Sequence, residues 1–188
     1  MINLKKGGKI NLQKTKPGLS KLTLGLGWDV NEGASKFQFD CDASVFILGE
    51  NGKLISDEHF VFYNNKISPD GAVVHNGDNR TGAGDGDDET INIDLTKISS
   101  NARQLVFAIS IDQAEERGQD FGMISGAVAH VYDNTNNELL IEYNLNEKFA
   151  GTDALLIGRI YLMPEGWEFE ALSNAYNGGL QTLIDIYC

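Results

Sequence analysis

Short stretches of apolar–polar alternation recur along this chain, and they constrain its fold more than any other feature. In Thr90-Ile91-Asn92-Ile93-Asp94-Leu95 the apolar residues Ile91, Ile93 and Leu95 fall on one side, and Thr90, Asn92 and Asp94 on the other. A period of two belongs to a half-buried β-strand, not to a helix. Ile2-Asn3-Leu4 and Lys9-Ile10-Asn11-Leu12 follow the same rule. So does Leu22-Thr23-Leu24-Gly25-Leu26-Gly27-Trp28, with leucines on one face and small residues on the other. Phe37 to Leu48 reads as one or two strands, Phe60 to Tyr63 as a short strand, and Ala72 to His75 as a short extended piece. Leu105 to Ile111 is nearly all apolar, as in a strand buried on both faces.

Turn signals separate these runs: Lys6-Gly7-Gly8, Pro17-Gly18, Asn51-Gly52 and Asn64-Asn65. Asp133 to Asn137 and Pro164-Glu165-Gly166 each join two strand patterns into a hairpin. Helical signals are few. One turn is expected within Thr96 to Ala102, a short helix over Gln113 to Arg117 stopped by Gly118, and a C-terminal helix over Leu180 to Tyr187. Strands with turns every roughly 8–12 residues predict an all-β fold, a two-sheet β-sandwich with a few short helices and long loops. The 188 residues, 41% of them hydrophobic, suit one domain spanning 1–188.

Charge is unevenly placed. The first 28 residues hold six lysines (5, 6, 9, 14, 16 and 21) and no acid. The remainder holds all 27 acids against nine bases. The net charge of −12 argues against nucleic acid as a partner. The basic start reads either as an arm for a partner or, more simply, as edge strands kept soluble by lysine. Cys41 and Cys188 do not make a disulfide framework, and reduced thiols in a cytosolic protein are expected. There is no apolar run of signal-peptide length near the start and no 18-residue apolar stretch, so neither secretion nor a transmembrane helix is expected.

Between two strand patterns lies Gly77-Asp78-Asn79-Arg80-Thr81-Gly82-Ala83-Gly84-Asp85-Gly86-Asp87-Asp88-Glu89, with five carboxylates and four glycines in thirteen residues. Such a loop cannot form a packed core, and its carboxylates repel one another if it closes. Crowded hard oxygen donors on a flexible backbone point to a hard cation, most simply Ca²⁺. The candidate ligands are Asp78, Asn79, Asp85, Asp87, Asp88 and Glu89, with Asp29, Asp40 and Asp42 as remote ones from neighbouring strands. Zinc is disfavoured because the loop holds neither Cys nor His. The EF-hand pattern fails: from Asp85 the run is Asp-Gly-Asp-Asp-Glu-Thr, without glycine at the sixth place, and strands rather than helices flank it. The plain alternative is a solvated acidic loop.

This long stretch resembles the signature of the TerD-type tellurium-resistance and stress-response proteins. Leu26-Gly27-Trp28-Asp29, Phe39-Asp40-Cys41-Asp42-Ala43-Ser44, Ile111-Asp112 with Glu116-Arg117, and Gly178-Gly179-Leu180 extend the likeness over nearly the whole chain. The resemblance implies a β-sandwich with its metal loop at one end, binding one or two Ca²⁺ ions, in a cytoplasmic stress-response protein. It implies protein partners, among them paralogous members of the family and membrane-associated complexes, and no established enzymatic activity. Some relatives are described as cyclic-nucleotide binders. The chain departs from the common pattern at Glu142-Tyr143-Asn144-Leu145, at Tyr161-Leu162 and at Ser173-Asn174-Ala175-Tyr176.

Nothing else in the chain forms a catalytic constellation. His59, His75 and His130 lack metal-site spacing. Ser44 and Ser110 sit in strand patterns without a nucleophile elbow. Cys41 between two aspartates has a disfavoured thiolate. Trp28 is expected in the core, and Arg117 at the C-terminus of its short helix. Two functions follow: a calcium-binding, non-catalytic interaction module, or a metal-dependent phosphoester hydrolase, for which the sequence offers no general base.

Overall fold

The computed structural model describes residues 1–30, 33, 35–37, 39–77, 86–145 and 149–188. Two short edge strands open the chain, β1 (Ile2–Leu4) and β2 (Lys9–Asn11), followed by the single-turn helix α1 (Leu12–Thr15). Then come β3 (Lys21–Val30), β4 (Cys41–Leu48), β5 (Phe60–Val61), β6 (Val73–His75), β7 (Glu89–Asp94) and β8 (Gln104–Ile111). After α2 (Ala114–Arg117), two hairpins follow, β9 (Ile124–Asp133) with β10 (Glu138–Asn144), and β11 (Ala154–Met163) with β12 (Gly166–Tyr176). The C-terminal helix α3 (Gly179–Tyr187) ends the chain.

The strands form two six-stranded sheets, ordered β1-β10-β9-β3-β7-β6 and β2-β12-β11-β8-β4-β5. Pairing is antiparallel throughout except for β1, which runs parallel to β10. The predicted two-sheet sandwich is therefore the observed one. The basic start of the chain supplies one edge strand to each sheet, crossing between them at Gly7, whose φ of +75° suits glycine. Its lysines are answered locally: Lys9 by Glu170 at 3.7 Å, Lys14 by Glu165 and Lys16 by Glu138. The edge-strand reading holds.

Alternation sets which side chains meet. Leu22, Leu24, Leu26 and Trp28 of β3 face the second sheet, with Ile91 and Ile93 of β7 beside them. Cys41, Ala43, Val45 and Ile47 of β4, and Leu105, Phe107 and Ile109 of β8, face back across the same core. The other faces of β4 and β8 carry Phe46, Leu48, Val106 and Ala108, covered by α3 through Leu183. Phe46 stacks on Phe60 with ring centroids 4.5 Å apart. This second layer explains the unbroken apolar run of β8, which is buried on both faces. Among the described residues the first sheet has no such cover, and its outer face carries an amide–hydroxyl ladder. Asn76 donates to Thr90, Asn92 to Asn76, Thr23 to Asn92 and Asn134 to Thr23, at 2.7–3.0 Å.

Some expectations need correcting. Thr96 to Ala102 forms turns, not a helix, because Asp94 Oδ1 accepts from both the Thr96 N–H (3.0 Å) and its hydroxyl (2.6 Å). The strand expected from Phe37 begins at Cys41. Arg117 reaches back to the Asp112 carbonyl and carboxylate, at 3.3 and 3.4 Å, instead of its helix C-terminus. Capping there falls to Gly118, in the left-handed region at φ +61°.

Candidate functional site

Register brings the strand ends together. Leu26 of β3 lies opposite Glu89 of β7, and Asp29 lies opposite Ser125 of β9. In the second sheet Cys41 lies opposite Ile111, and Ala154 opposite Ser110. Glu89 ties the two sheets together at this end: its Oε2 accepts from the Ala43 N–H of β4 at 2.6 Å. β5 pairs with β4 only at Val45 and Phe46, so that N–H lies beyond the β5 ladder. His75 of β6 approaches the same Glu89 oxygen at 3.4 Å, and both side chains are fully buried. Glu89 is thus a strut between sheets.

Asp88 follows the backbone of β3. Its N–H donates to Leu26 O at 2.7 Å, and its Oδ2 accepts from the Trp28 N–H at 2.8 Å. Burial, then the charges of Asp29 and Asp87, raise its carboxyl above the ordinary value, against the pull of the Trp28 N–H. Trp28 itself is 4% exposed and belongs to the core, as expected.

Asp87 turns onto the outer face of the first sheet. Its Oδ1 lies 2.6 Å from His130 Nδ1, and it also holds the Tyr132 hydroxyl. Burial first, then that hydrogen bond and the Asp87 charge, push the Tyr132 phenol up. The seat is cut by glycine: a Cβ on Gly25 would lie 1.9 Å from Asp87 Oδ2. Gly126 gives similar room to Asp29, whose Oδ2 would lie 2.5 Å from a Cβ there.

Of the nine predicted ligands, Asp78, Asn79 and Asp85 lie outside the described residues. Asp29, near the end of β3, and Asp87 are near enough for their charges to act on Asp88. Glu89 points into the core, and Asp42 opens on the outer side of the second sheet, the face opposite that taken by Asp87. Asp40, 7% exposed, precedes β4, and its carbonyl accepts from the Asp112 N–H at 2.8 Å. Among the described residues no three His, Cys, Asp or Glu side chains form a ready-made metal cluster. Cys41 is buried beside these acids. Burial, then the charges of Asp42, Glu89, Asp40 and Asp88, push its thiol well above the usual value, so it is no nucleophile. Cys188 is exposed and also free.

His130, Tyr132 and His75 were not expected here. A signal for the first two was present: glycines at outward positions of β3 mark a close approach of other atoms. His130 and Tyr132 share the outward face of the next strand, with Gly25 directly opposite His130.

A two-sheet sandwich with carboxylates gathered at one loop-built end is the class of protein described so far. The chain matches the TerD domain over residues 1–187 and belongs to the TerD family. It is 43% identical over 186 residues to General stress protein 16U of Bacillus subtilis, covering 99% of this chain and 96% of that protein. It is 40% identical over 186 residues to the tellurium resistance protein TerD of Serratia marcescens, with 99% and 96% covered. A crystal structure of a TerD homologue from Streptomyces coelicolor superposes with a TM-score of 0.72 at 20% identity, over 89% of this chain and 96% of that one, and shares the fold.

Proposed function

We propose that this protein is a calcium-binding, non-catalytic interaction module of the cytoplasmic stress response, and that protein partners read its acidic end. The observation that carries this is the trio Asp29, Asp87 and Asp88. Asp88 feels the charge of the other two, and among the described residues His130 pairs with Asp87. The donor set is all oxygen, which fits a hard cation. Asp88 and Asp29 would hold the ion, with Asp87 contributing the oxygen not taken by His130, and Asp78, Asn79 and Asp85 completing the set. Bound Ca²⁺ supplies positive charge that lets these carboxylates stay ionised side by side. Glu89 acts from behind as the strut that fixes β7, and with it the end of the loop.

The test is thermal unfolding in chelator and in Ca²⁺. Binding to the folded state alone stabilises by RT ln(1 + [L]/Kd), about 2.7 kcal/mol at a hundredfold excess over Kd. A melting temperature indifferent to Ca²⁺ would overturn the proposal. Calorimetric titration of wild type and of Asp85→Asn/Asp87→Asn gives the number of ions, with weaker binding expected in the double variant.

A further inference from the structure

Beside the end of α3, on the outer side of the second sheet, a groove of about 320 Å³ lies over β8, β11 and β12. A bulge shapes it. The pairing of β11 with both of its neighbours slips by one residue between Leu156 and Gly158. Residues three apart in a regular strand face opposite ways, but a bulge re-aims the chain by one residue. Leu156 and Arg159 therefore share the outer face: Leu156 packs in the outer layer with Val106, and Arg159 lies opposite Val106. Val106, Leu156 and Leu172 give the groove an apolar lining, and Arg159 stands beside them.

Charge and hydrogen-bond supply say what fits. The chain has a net charge of −12, yet Arg159 is the one charged residue in this lining among the described residues. Arg159 is held but not saturated. Glu170 Oε2 lies 2.8 Å from its Nε and 2.6 Å from its Nη2, and Gln104 Oε1 accepts from its Nη1 at 3.2 Å. A guanidinium carries five N–H groups, so each terminal nitrogen keeps one without a partner among the described residues. The plane of the group is steadied by the Tyr161 ring, whose centroid is 4.9 Å from the guanidinium carbon. Around it stand Asn174, Tyr176 and Tyr187, whose side-chain polar groups make no hydrogen bond among the described residues. Burial first, then Tyr176, push the Tyr187 phenol up to about 12 against the pull of Arg159, so it stays a neutral donor at physiological pH. Its ring is braced by Phe46, with centroids 4.9 Å apart. A polyanion needs several cations and gains nothing from an apolar lining. A single carboxylate on an apolar body uses both parts of the groove.

We propose that this groove binds a small organic acid, one carboxylate on an aromatic or aliphatic body. The carboxylate meets Arg159 and the two tyrosine hydroxyls, and the body lies on Val106, Leu156 and Leu172. The site uses no residue of the acidic end and does not rest on calcium binding there.

The experiment is NMR titration of the ¹⁵N-labelled full chain in chelator, with 3-phenylpropionate, its neutral amide and inorganic phosphate as probes. Saturable shifts from 3-phenylpropionate are expected at the backbone amides of Gln104, Arg159, Asn174 and Tyr187. The neutral amide should bind about fivefold more weakly or worse, and phosphate should not saturate these signals. Tyr176→Phe/Tyr187→Phe keeps both rings and should weaken binding of the acid about tenfold. Arg159→Gln/Glu170→Gln removes the cation together with its partner, so that no carboxylate is left stranded, and should abolish the preference for the acid over its amide. The proposal is overturned if 3-phenylpropionate shifts none of these signals at millimolar concentration, if the amide binds as tightly as the acid, if phosphate saturates the same signals, or if both double variants bind the acid like wild type.

Discussion

The two ends of the sandwich treat their carboxylates in opposite ways. At the end where Lys21 faces Asp94, each acid has its own donor. Asp94 accepts from the Thr96 hydroxyl and Asp133 from the Thr135 hydroxyl, each at 2.6 Å, while Lys16 holds Glu138 and Lys14 holds Glu165. These bonds hold all four carboxyls below their ordinary values. At the end where Leu26 faces Glu89, acids neighbour acids, and Asp88 is shifted the other way. The first end is electrostatically complete within the chain. The second sets like charges near one another, a repulsion that an external cation would relieve, which is why the function is proposed there.

The sharpest way to break this comparison is to remove the strut. Glu89→Ala leaves the buried Ala43 N–H and His75 without the carboxylate that answers them. The expected loss is about 3 kcal/mol in urea unfolding of the metal-free protein. Glu89→Gln keeps an acceptor for Ala43 and should lose less. A loss below about 1 kcal/mol for the alanine variant would mean that the two sheets hold together without Glu89.

A smaller effect tests the sign of the difference. Asp88→Asn keeps an oxygen for the Trp28 N–H and removes a charge that Asp29 and Asp87 repel. In metal-free protein it should be neutral or stabilising by a few tenths of a kcal/mol. Asp94→Asn at the other end should destabilise by a similar amount, since the charge that strengthens its bond to Thr96 is lost. Urea midpoints of the two variants, measured together, decide it. Destabilisation by both would erase the distinction between the ends.

How much of this was legible follows from what sequence patterns record. Alternation in Thr90 to Leu95 and the apolar run of Leu105 to Ile111 gave β7 and β8 because side-chain period reports directly on burial. The hairpins at Asp133 to Asn137 and Pro164 to Gly166 were legible because turn residues act locally. What stayed hidden depends on contacts between segments far apart in the chain. Glu89 sits in the acidic run like any other candidate ligand, and only its meeting with Ala43, 46 residues away, makes it a strut. His130 had no motif, and its pairing with Asp87 arises from the β3–β9 register. Thr96 to Ala102 misled because helix-compatible composition lost to a side-chain bond from Asp94, the mechanism by which Asp favours turns over helix.

The smallest effect separates the ends by pH. Asp70 belongs with the satisfied acids. Burial alone would raise its carboxyl, but hydrogen bonds from Ser68 (2.6 Å), the Ala72 N–H (3.0 Å) and the Ser99 N–H (2.8 Å) outweigh it and bring it below the ordinary value. A carboxyl lowered by folding stabilises fully above the unfolded pKa of about 3.9 and loses that contribution as pH falls through its folded value. Asp88 is raised, so its favourable contribution is complete below about 3.9 and vanishes as pH rises through the folded value. In metal-free protein the melting temperature of Asp70→Asn should therefore lie below wild type at neutral pH and converge with it in strong acid. That of Asp88→Asn should match or exceed wild type at neutral pH and lose any advantage below pH of about 4. Thermal melts of the three proteins across this range check both signs. If the two variants shift in the same direction at neutral pH, the crowding of Asp88 by Asp29 and Asp87 is not what sets its charge, and the acidic end has no unmet need for a cation.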